Sequence, residues 1–324
     1  MKRLYAIGEA LIDMTPQETG KGISEVKGFE PHVGGAPANV LGAFRVLGGE
    51  ASLITQVGDD PFGDKIVNLL EEYYIDTSYV LRTKEANTAL AFVALKDDGD
   101  REFNFYRKPS ADMLYDAKNV QDDWFSDAFA LHFCSVDLGD FPMGEAHRRA
   151  IQVATEKDVL ISFDPNLRFN LWENPEDLKS AVLEFMPMTN LVKISDEELE
   201  FITGNADPDQ AIPALLDTYP NMKLVVYTEG KNGQRAYTRA AKARDTYTES
   251  HAVDTTGAGD GFIGSFLYQI ASRGLGAKDL EKLTANDLES MLHFSGCFAG
   301  KSVTRPGAIQ SYPSMEEMLA EKGW

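Results

Sequence analysis

Short apolar runs alternate with longer amphipathic stretches along almost the whole chain, and this rhythm restricts the fold more than any single composition figure. Residues 4–7, 52–57, 131–134, 160–163, 191–194 and 224–227 have the length and apolar character of buried strands. Residues 37–47, 143–156, 175–185, 197–203 and 209–217 have helical periodicity and lie between or just after them, and 261–272 and 287–299 make the last third mostly helical. Strand, helix, strand in repetition predicts an α/β fold, with helices on both faces of a mainly parallel sheet. No Pro-, Ser- or Gly-rich linker divides the 324 residues, so the expectation is one large domain, 1–324, carrying an appendage.

The appendage comes from the one region that breaks the rhythm. Residues 88–95 and 102–106 alternate apolar and polar positions around Lys96-Asp97-Asp98-Gly99-Asp100-Arg101, where Asp98-Gly99 is a hairpin-turn signal. With no helix between them, these segments predict an antiparallel flap shared with the region near Ile12 and residues 25–29. Beside a reactive site such a flap is a candidate lid that excludes water; it is also a candidate homodimer interface.

Two glycine-rich segments carry chemistry. Asp254-Thr255-Thr256-Gly257-Ala258-Gly259-Asp260 precedes a helix-compatible apolar stretch. Small residues let backbone N–H groups approach a ligand, and a helix starting within 257–260 aims its unpaired amides and positive dipole end at an anion. A lone acid at a helix start is often a cap. Two acids six residues apart around this turn suit phosphoryl transfer better, with Asp260 accepting the proton of an attacking hydroxyl. The second segment, Val33-Gly34-Gly35-Ala36-Pro37-Ala38-Asn39, combines close backbone approach, a Pro suited to a first helical turn and an amide that both donates and accepts. With the carboxylate of Asp13, it suits polyol hydroxyls.

Other chemistries are disfavoured. A net charge of −20 argues against nucleic acid and anionic membranes, which bind clustered Lys and Arg. Gly259-Asp260-Gly261-Phe262-Ile263-Gly264 fits the dinucleotide pattern by letters. It lies late in the chain, however, puts an acid where pyrophosphate would approach, and has no ribose-binding acid on a following strand. No G-x-x-x-x-G-K-[ST] occurs, and His32, His132, His147, His251 and His293 show no ligand spacing. Cys134 and Cys297 are the two cysteines and read as buried thiols in a reducing compartment. No signal-length or membrane-length apolar run is present, so the expected location is cytoplasmic.

Taken together, residues 254–260, residues 34–39 and Gly58-Asp59-Asp60-Pro61-Phe62-Gly63 resemble the signatures of the PfkB, or ribokinase-like, carbohydrate kinases, in the same order along nearly the whole chain. Residues 101–114 are similar to the lid segment of the fructokinases in that family, and Asp164-Pro165-Asn166-Leu167-Arg168 to their sugar-site loop. The resemblance implies a three-layer α/β/α sandwich with a small β-sheet lid drawn from about 11–31 and 78–110. It implies ATP-dependent phosphorylation of fructose at the 6-hydroxyl, with Mg²⁺ and with K⁺ as a candidate activator. Asp260 becomes the base, and Gly257, Ala258 and Gly259 the anion hole. Asp13, Gly34, Gly35, Asn39 and Arg168 become sugar-site residues, with Phe105 and Arg107 closing from the lid. On the nucleotide side stand Lys193, Glu198, Thr228, Gly230 and Gly233. Ser195 departs from the Asn of ribokinases, which leaves Glu198 to organise metal-bound water. Asp254 and Thr256, with backbone carbonyls of Ser302, Arg305 and Gly307, correspond to a monovalent-cation loop. Kinases for 2-keto-3-deoxygluconate, ribose or an aminoimidazole riboside share these catalytic features, and a sugar- or nucleotide-binding protein without turnover is the alternative from another class.

Overall fold

The computed structural model describes residues 2–18, 20–95, 101–247 and 251–320. Its first third contains β1 (Arg3–Ile7), β2 (Leu11–Pro16), β3 (Phe29–Gly34), α1 (Ala36–Val46), β4 (Ala51–Gly58), α2 (Pro61–Glu72), β5 (Val80–Thr83), β6 (Ala89–Leu95) and β7 (Arg101–Tyr106). Strands and helices then follow in succession as β8 (Ala128–Cys134), α3 (Pro142–Glu156), β9 (Leu160–Asp164), α4 (Pro175–Phe185), β10 (Leu191–Ser195), α5 (Asp196–Thr203), α6 (Pro208–Thr218) and β11 (Leu224–Thr228). The chain closes with β12 (Gln234–Tyr237), β13 (Lys242–Asp245), α7 (Ala258–Ser272), α8 (Ala285–Ser302) and α9 (Met315–Leu319).

Nine strands form one sheet in the order β13-β12-β11-β10-β9-β8-β1-β4-β5. It is parallel from β11 to β5 and antiparallel at the β12–β13 edge. Both faces are covered, so successive residues of one strand enter different cores. Tyr5, Ile7, Phe133, Phe163 and Val192 pack with Met143 of α3, Leu178 of α4, Leu199 of α5 and Ile212 of α6. Leu4, Ala6, Ala130, Leu160 and Leu191 pack on the other side with Phe44 of α1, Ile66 of α2, Phe266 of α7 and Met291 of α8. Each fully buried large side chain contributes about 1.5–3 kcal/mol, which is why the alternation of apolar runs determines the layers. Among the described residues, no helix is long and apolar enough to cross a membrane.

A separate four-stranded sheet has the order β3-β2-β6-β7. It differs from the expected flap in three ways. The first concerns β2 and β6, which pair in parallel, whereas β2–β3 and β6–β7 are antiparallel. β1 and β5 run the same way in the large sheet, and each continues through a short connection into a small-sheet strand, so β2 and β6 inherit a common direction. Secondly, the outer strand is 29–34 rather than 25–29, because residues 29–34 supply the register opposite Leu11 to Pro16. The third difference lies at residues 80–83: these pair with β4 in the large sheet, so the second part of the small sheet begins at Ala89 and not near 78. The turn expected at 96–100 lies outside the described residues. Helix α2 and strands β12 and β13 are further elements that the apolar rhythm did not mark. α2 opens at an Asp60 cap followed by Pro61, and its apolar face is narrow, with Ile66 and Leu70 buried.

Candidate active site

Gly257 holds φ at +72° and leads directly into α7, so the turn requires a residue that enters the left-handed region without strain. Asp260 follows in the first turn of α7 and is 8% exposed. α7 crosses α1 at close range: a Cβ on Gly264 would lie 2.5 Å from the Val40 carbonyl oxygen. That approach brings Asn39 to Asp260, whose Oδ2 accepts a hydrogen bond from Asn39 Nδ2 at 2.9 Å.

Two cavities meet at this helix start. One, of about 760 Å³, lies between the small sheet and the large one. It is lined by Asp13 and Phe105 from the small sheet, by Gly35 and Asn39, by Asn166 and Arg168, and by Asp254, Thr256, Gly257 and Asp260. The other, of about 340 Å³, is lined by Thr228, Gly230, Gly233, Ala258 and Gly259, together with Phe262, Ala299 and Val303. Thr255 lines both. Asp260 and Gly257 thus face one cavity, and Ala258 and Gly259, between them in sequence, face the other.

The electrostatics follow from burial. Burial raises the Asp260 carboxyl above the usual range, against the Asn39 hydrogen bond and the charges of Arg168 and Lys193, which lower it; Glu198 raises it further. Burial likewise pushes Asp13 up to about 6, opposed by Arg168 and reinforced by Asp260. Lys193 loses stability as a cation through burial, but Asp164 and Glu198 more than offset this and hold it charged.

Several expected site residues are placed differently. Arg107 does not line the larger cavity. Its guanidinium is buried and donates to both Asp112 and Asp137, which sit at 1% and 0% exposure. Two buried acids form a better-matched partner set than a solvated cleft wall. Lys193 lines neither cavity; its Nζ pairs with Asp164 Oδ2 at 3.1 Å and lies 3.4 Å from where a Cβ on Gly259 would be, beneath the turn. Glu198 closes a capping box with Ser195 at the start of α5, so Ser195 serves here as a helix cap. The Glu198 oxygens accept backbone N–H groups of Leu167 at 3.0 Å and Ser195 at 2.8 Å. Gly34 stands behind Asp13, in the space a side chain would contest with that carboxylate.

Asp254 ties two segments together. Its Oδ1 accepts from the Thr256 N–H and hydroxyl, and its Oδ2 from Gly307 N–H at 2.9 Å. Ser302, Arg305 and Gly307 therefore run beside residues 254–256, although the Arg305 side chain turns away to Glu317.

The profile of the pfkB family carbohydrate kinases matches residues 1–315. The chain belongs to that family. Probable fructokinase-2 of Arabidopsis thaliana is 39% identical to this kinase over 317 residues, covering 98% of this chain and 94% of the relative. The fructokinase of Xylella fastidiosa with bound ATP superposes with a TM-score of 0.89 at 33% identity, over 98% of this chain and 97% of that one. A fructokinase of Vibrio cholerae O395, in a form with fructose, ADP and calcium bound, gives a TM-score of 0.85 at 28% identity, over 99% and 98%.

The kinase also brings in residues that motif reading did not single out. Glu9, 3% exposed, lines the larger cavity and accepts the Ala36 N–H at 3.0 Å. Its signal in the sequence is an acid two residues after a buried strand. Asp164 and Asn166 belong to the loop already compared with the family, where only Arg168 had been given a role. Asp164 bonds Lys193 and the Asn166 N–H, and Asn166 reaches Asp260.

Proposed function

We propose that this carbohydrate kinase transfers the γ-phosphoryl group of ATP to the 6-hydroxyl of fructose, with Asp260 taking the hydroxyl proton. The observation that carries it is the junction of the two cavities at the start of α7. A sugar in the larger cavity has a carboxylate base beside its hydroxyl. A triphosphate in the smaller one ends at Ala258 and Gly259, with Gly257 on the side of the larger cavity, and the amides of this turn favour developing charge on the transferring group. In-line attack across such a junction depends chiefly on positioning.

The charge of the larger cavity favours a neutral sugar. Glu9, Asp13, Asp254 and Asp260 line it, and Arg168 is the cation among the described lining residues. Arg107, which could have met a substrate carboxylate, is neutralised by Asp112 and Asp137. A 2-keto-3-deoxygluconate carboxylate would therefore enter a predominantly acidic cleft, whereas fructose hydroxyls can donate to those acids. Phe105 and the small sheet form the cavity's upper wall, the placement of a lid built from β2, β3, β6 and β7. The opposite face of that sheet carries Phe29, Phe92 and the 61%-exposed Tyr106, which supports pairing with a second copy.

Glu198 does not fit as a direct metal ligand, because both oxygens already accept backbone N–H groups and it lines neither cavity. Its remaining lone pairs can organise water around a nucleotide-bound Mg²⁺, which would supply charge neutralisation at the phosphates. Residues 302–307 run beside Asp254 and Thr256, and the backbone carbonyls of Ser302, Arg305 and Gly307 would be the groups to hold a monovalent cation there. Thr228, Gly230 and Gly233 form the nucleotide-side wall.

ADP release measured across fructose, ribose, 2-keto-3-deoxygluconate and a riboside should show preference for fructose. Faster turnover of the sugar acid would overturn the neutral-sugar assignment, and nucleotide binding without turnover on any sugar would favour a binding protein. Sugar affinity should also titrate with Asp13. A carboxyl with a pKa of about 6 is ionised at pH 7.5 and mostly protonated at pH 5. Fructose affinity measured by calorimetry should consequently weaken roughly tenfold at pH 5. Asp13→Asn should bind weakly at both pH values, and a wild-type affinity that stays constant over this range would exclude Asp13 as an ionised sugar ligand.

A further inference from the structure

We infer that Asn166 is a positioning residue for phosphoryl transfer: together with Asn39 it grips both oxygens of the Asp260 carboxylate and fixes the lone pairs left to receive the hydroxyl proton. The inference rests on Asp260 being the base.

The geometry is two-sided. Asn39 Nδ2 donates to Asp260 Oδ2 at 2.9 Å from α1, and Asn166 Nδ2 donates to Oδ1 at 3.2 Å from the loop after β9. An ionised carboxylate only accepts, so both amides must present their NH₂ groups. Asn39 does so while its own Oδ1 stays buried without a partner. That orientation is dictated by the carboxylate, since the flipped amide would set oxygen against oxygen.

Asn166 is held for this purpose from both sides. Its backbone sits at φ +43°, in the left-handed region that Asn tolerates better than most residues. Its N–H is taken by Asp164 Oδ1 at 3.1 Å, and the next N–H, of Leu167, by Glu198 Oε1 at 3.0 Å. Both anchoring acids are buried. The loop backbone therefore cannot swing Asn166 away without breaking bonds to two desolvated carboxylates, the kind of over-determined strain that preorganises a site.

The clamp has an electrostatic consequence. Acids face Asp260 from three elements, Asp13 on β2, Asp164 at the end of β9 and Glu198 on α5, while Arg168 and Lys193 supply the opposing charge. Cys134 and Tyr312 also adjoin it, and burial keeps both protonated. Against burial, amide N–H groups on the carboxylate favour its ionised, proton-accepting form. Removing one leaves every other charge in place.

The test is the pH profile of kcat at saturating fructose, which reports groups in the substrate complex. Asn166→Gly keeps the left-handed backbone accessible and deletes only the amide. Its acid limb should move up by about one pH unit, kcat should fall about tenfold, and the fructose KM should stay within about threefold. Asn166→Asp, which places a like charge beside the base, should move the limb further in the same direction. An unmoved limb in Asn166→Gly, or a loss confined to KM, would overturn the clamp. Asp260→Asn run in parallel separates the two ideas. If it is inactive while Asn166→Gly keeps the wild-type limb, the clamp alone fails; if it turns over normally, the base assignment fails and the clamp with it.

Discussion

Asp260→Asn is expected to lower kcat at least about a hundredfold while fructose and nucleotide affinities change by no more than about threefold. The substitution preserves the shape of the side chain and removes only its capacity to accept a proton, and a positioned base contributes about 10²–10⁴ in rate. Binding should persist because the larger cavity keeps Asp13, Gly35, Asn39 and Arg168, and the smaller keeps Thr228, Gly230 and Gly233. Loss of kcat with unchanged affinity is the signature of an interaction made in the transition state. Turnover within about threefold of wild type would remove Asp260 from the role. Because the new amide faces Asn39 and Asn166, one of those side chains must flip or move, so a small increase in fructose KM is compatible with the proposal.

Arg107→Ala is expected to cost about 3–5 kcal/mol of stability, the range for removing one partner of a buried ion pair. The guanidinium is the shared partner of Asp112 and Asp137, and Asp137 carries a second oxygen with no partner even in the intact protein. Burial already raises Asp137, with Arg107 acting against it, so deletion of Arg107 should raise it further. An acid whose folded pKa exceeds its unfolded value favours the folded state at low pH and loses that contribution as pH rises through the folded pKa. The variant's deficit, measured by denaturant unfolding, should therefore be smaller at pH 5 than at pH 8, and Asp137→Asn in the same chain should recover part of it. A deficit below about 1 kcal/mol, typical of an exposed pair, would show that the Arg107 cluster is not sealed from water.

What the one-dimensional chain disclosed was local. The period of apolar residues located six of the nine strands of the large sheet, because burial on two faces of a parallel sheet demands continuous apolar runs and leaves a visible mark. The turn at 257–260 was legible for the same reason: Gly257 at positive φ, the small residues and the acid are all set by the backbone conformation of one short segment. Strands β5, β12 and β13 were missed because each has only four residues and a mixed pattern, so pairing with an established edge decides them rather than their own periodicity.

Partners of buried polar side chains were settled only by the tertiary structure. Asn39 and Asp260 are 221 residues apart, Asn166 and Asp260 94, and Arg107 and Asp137 30. Nothing in a segment's own pattern states which distant acid will be desolvated beside it. Arg107 looked like a substrate contact because its neighbours in sequence resemble a lid, and it became a buried pair because Asp112 and Asp137 reach the same space first. Lys193 looked like a phosphate ligand and instead lies under the turn, paired with Asp164. Hydrophobic period and turn geometry are short-range properties that a sequence carries openly, whereas the compensation of buried charge is a property of the packed whole.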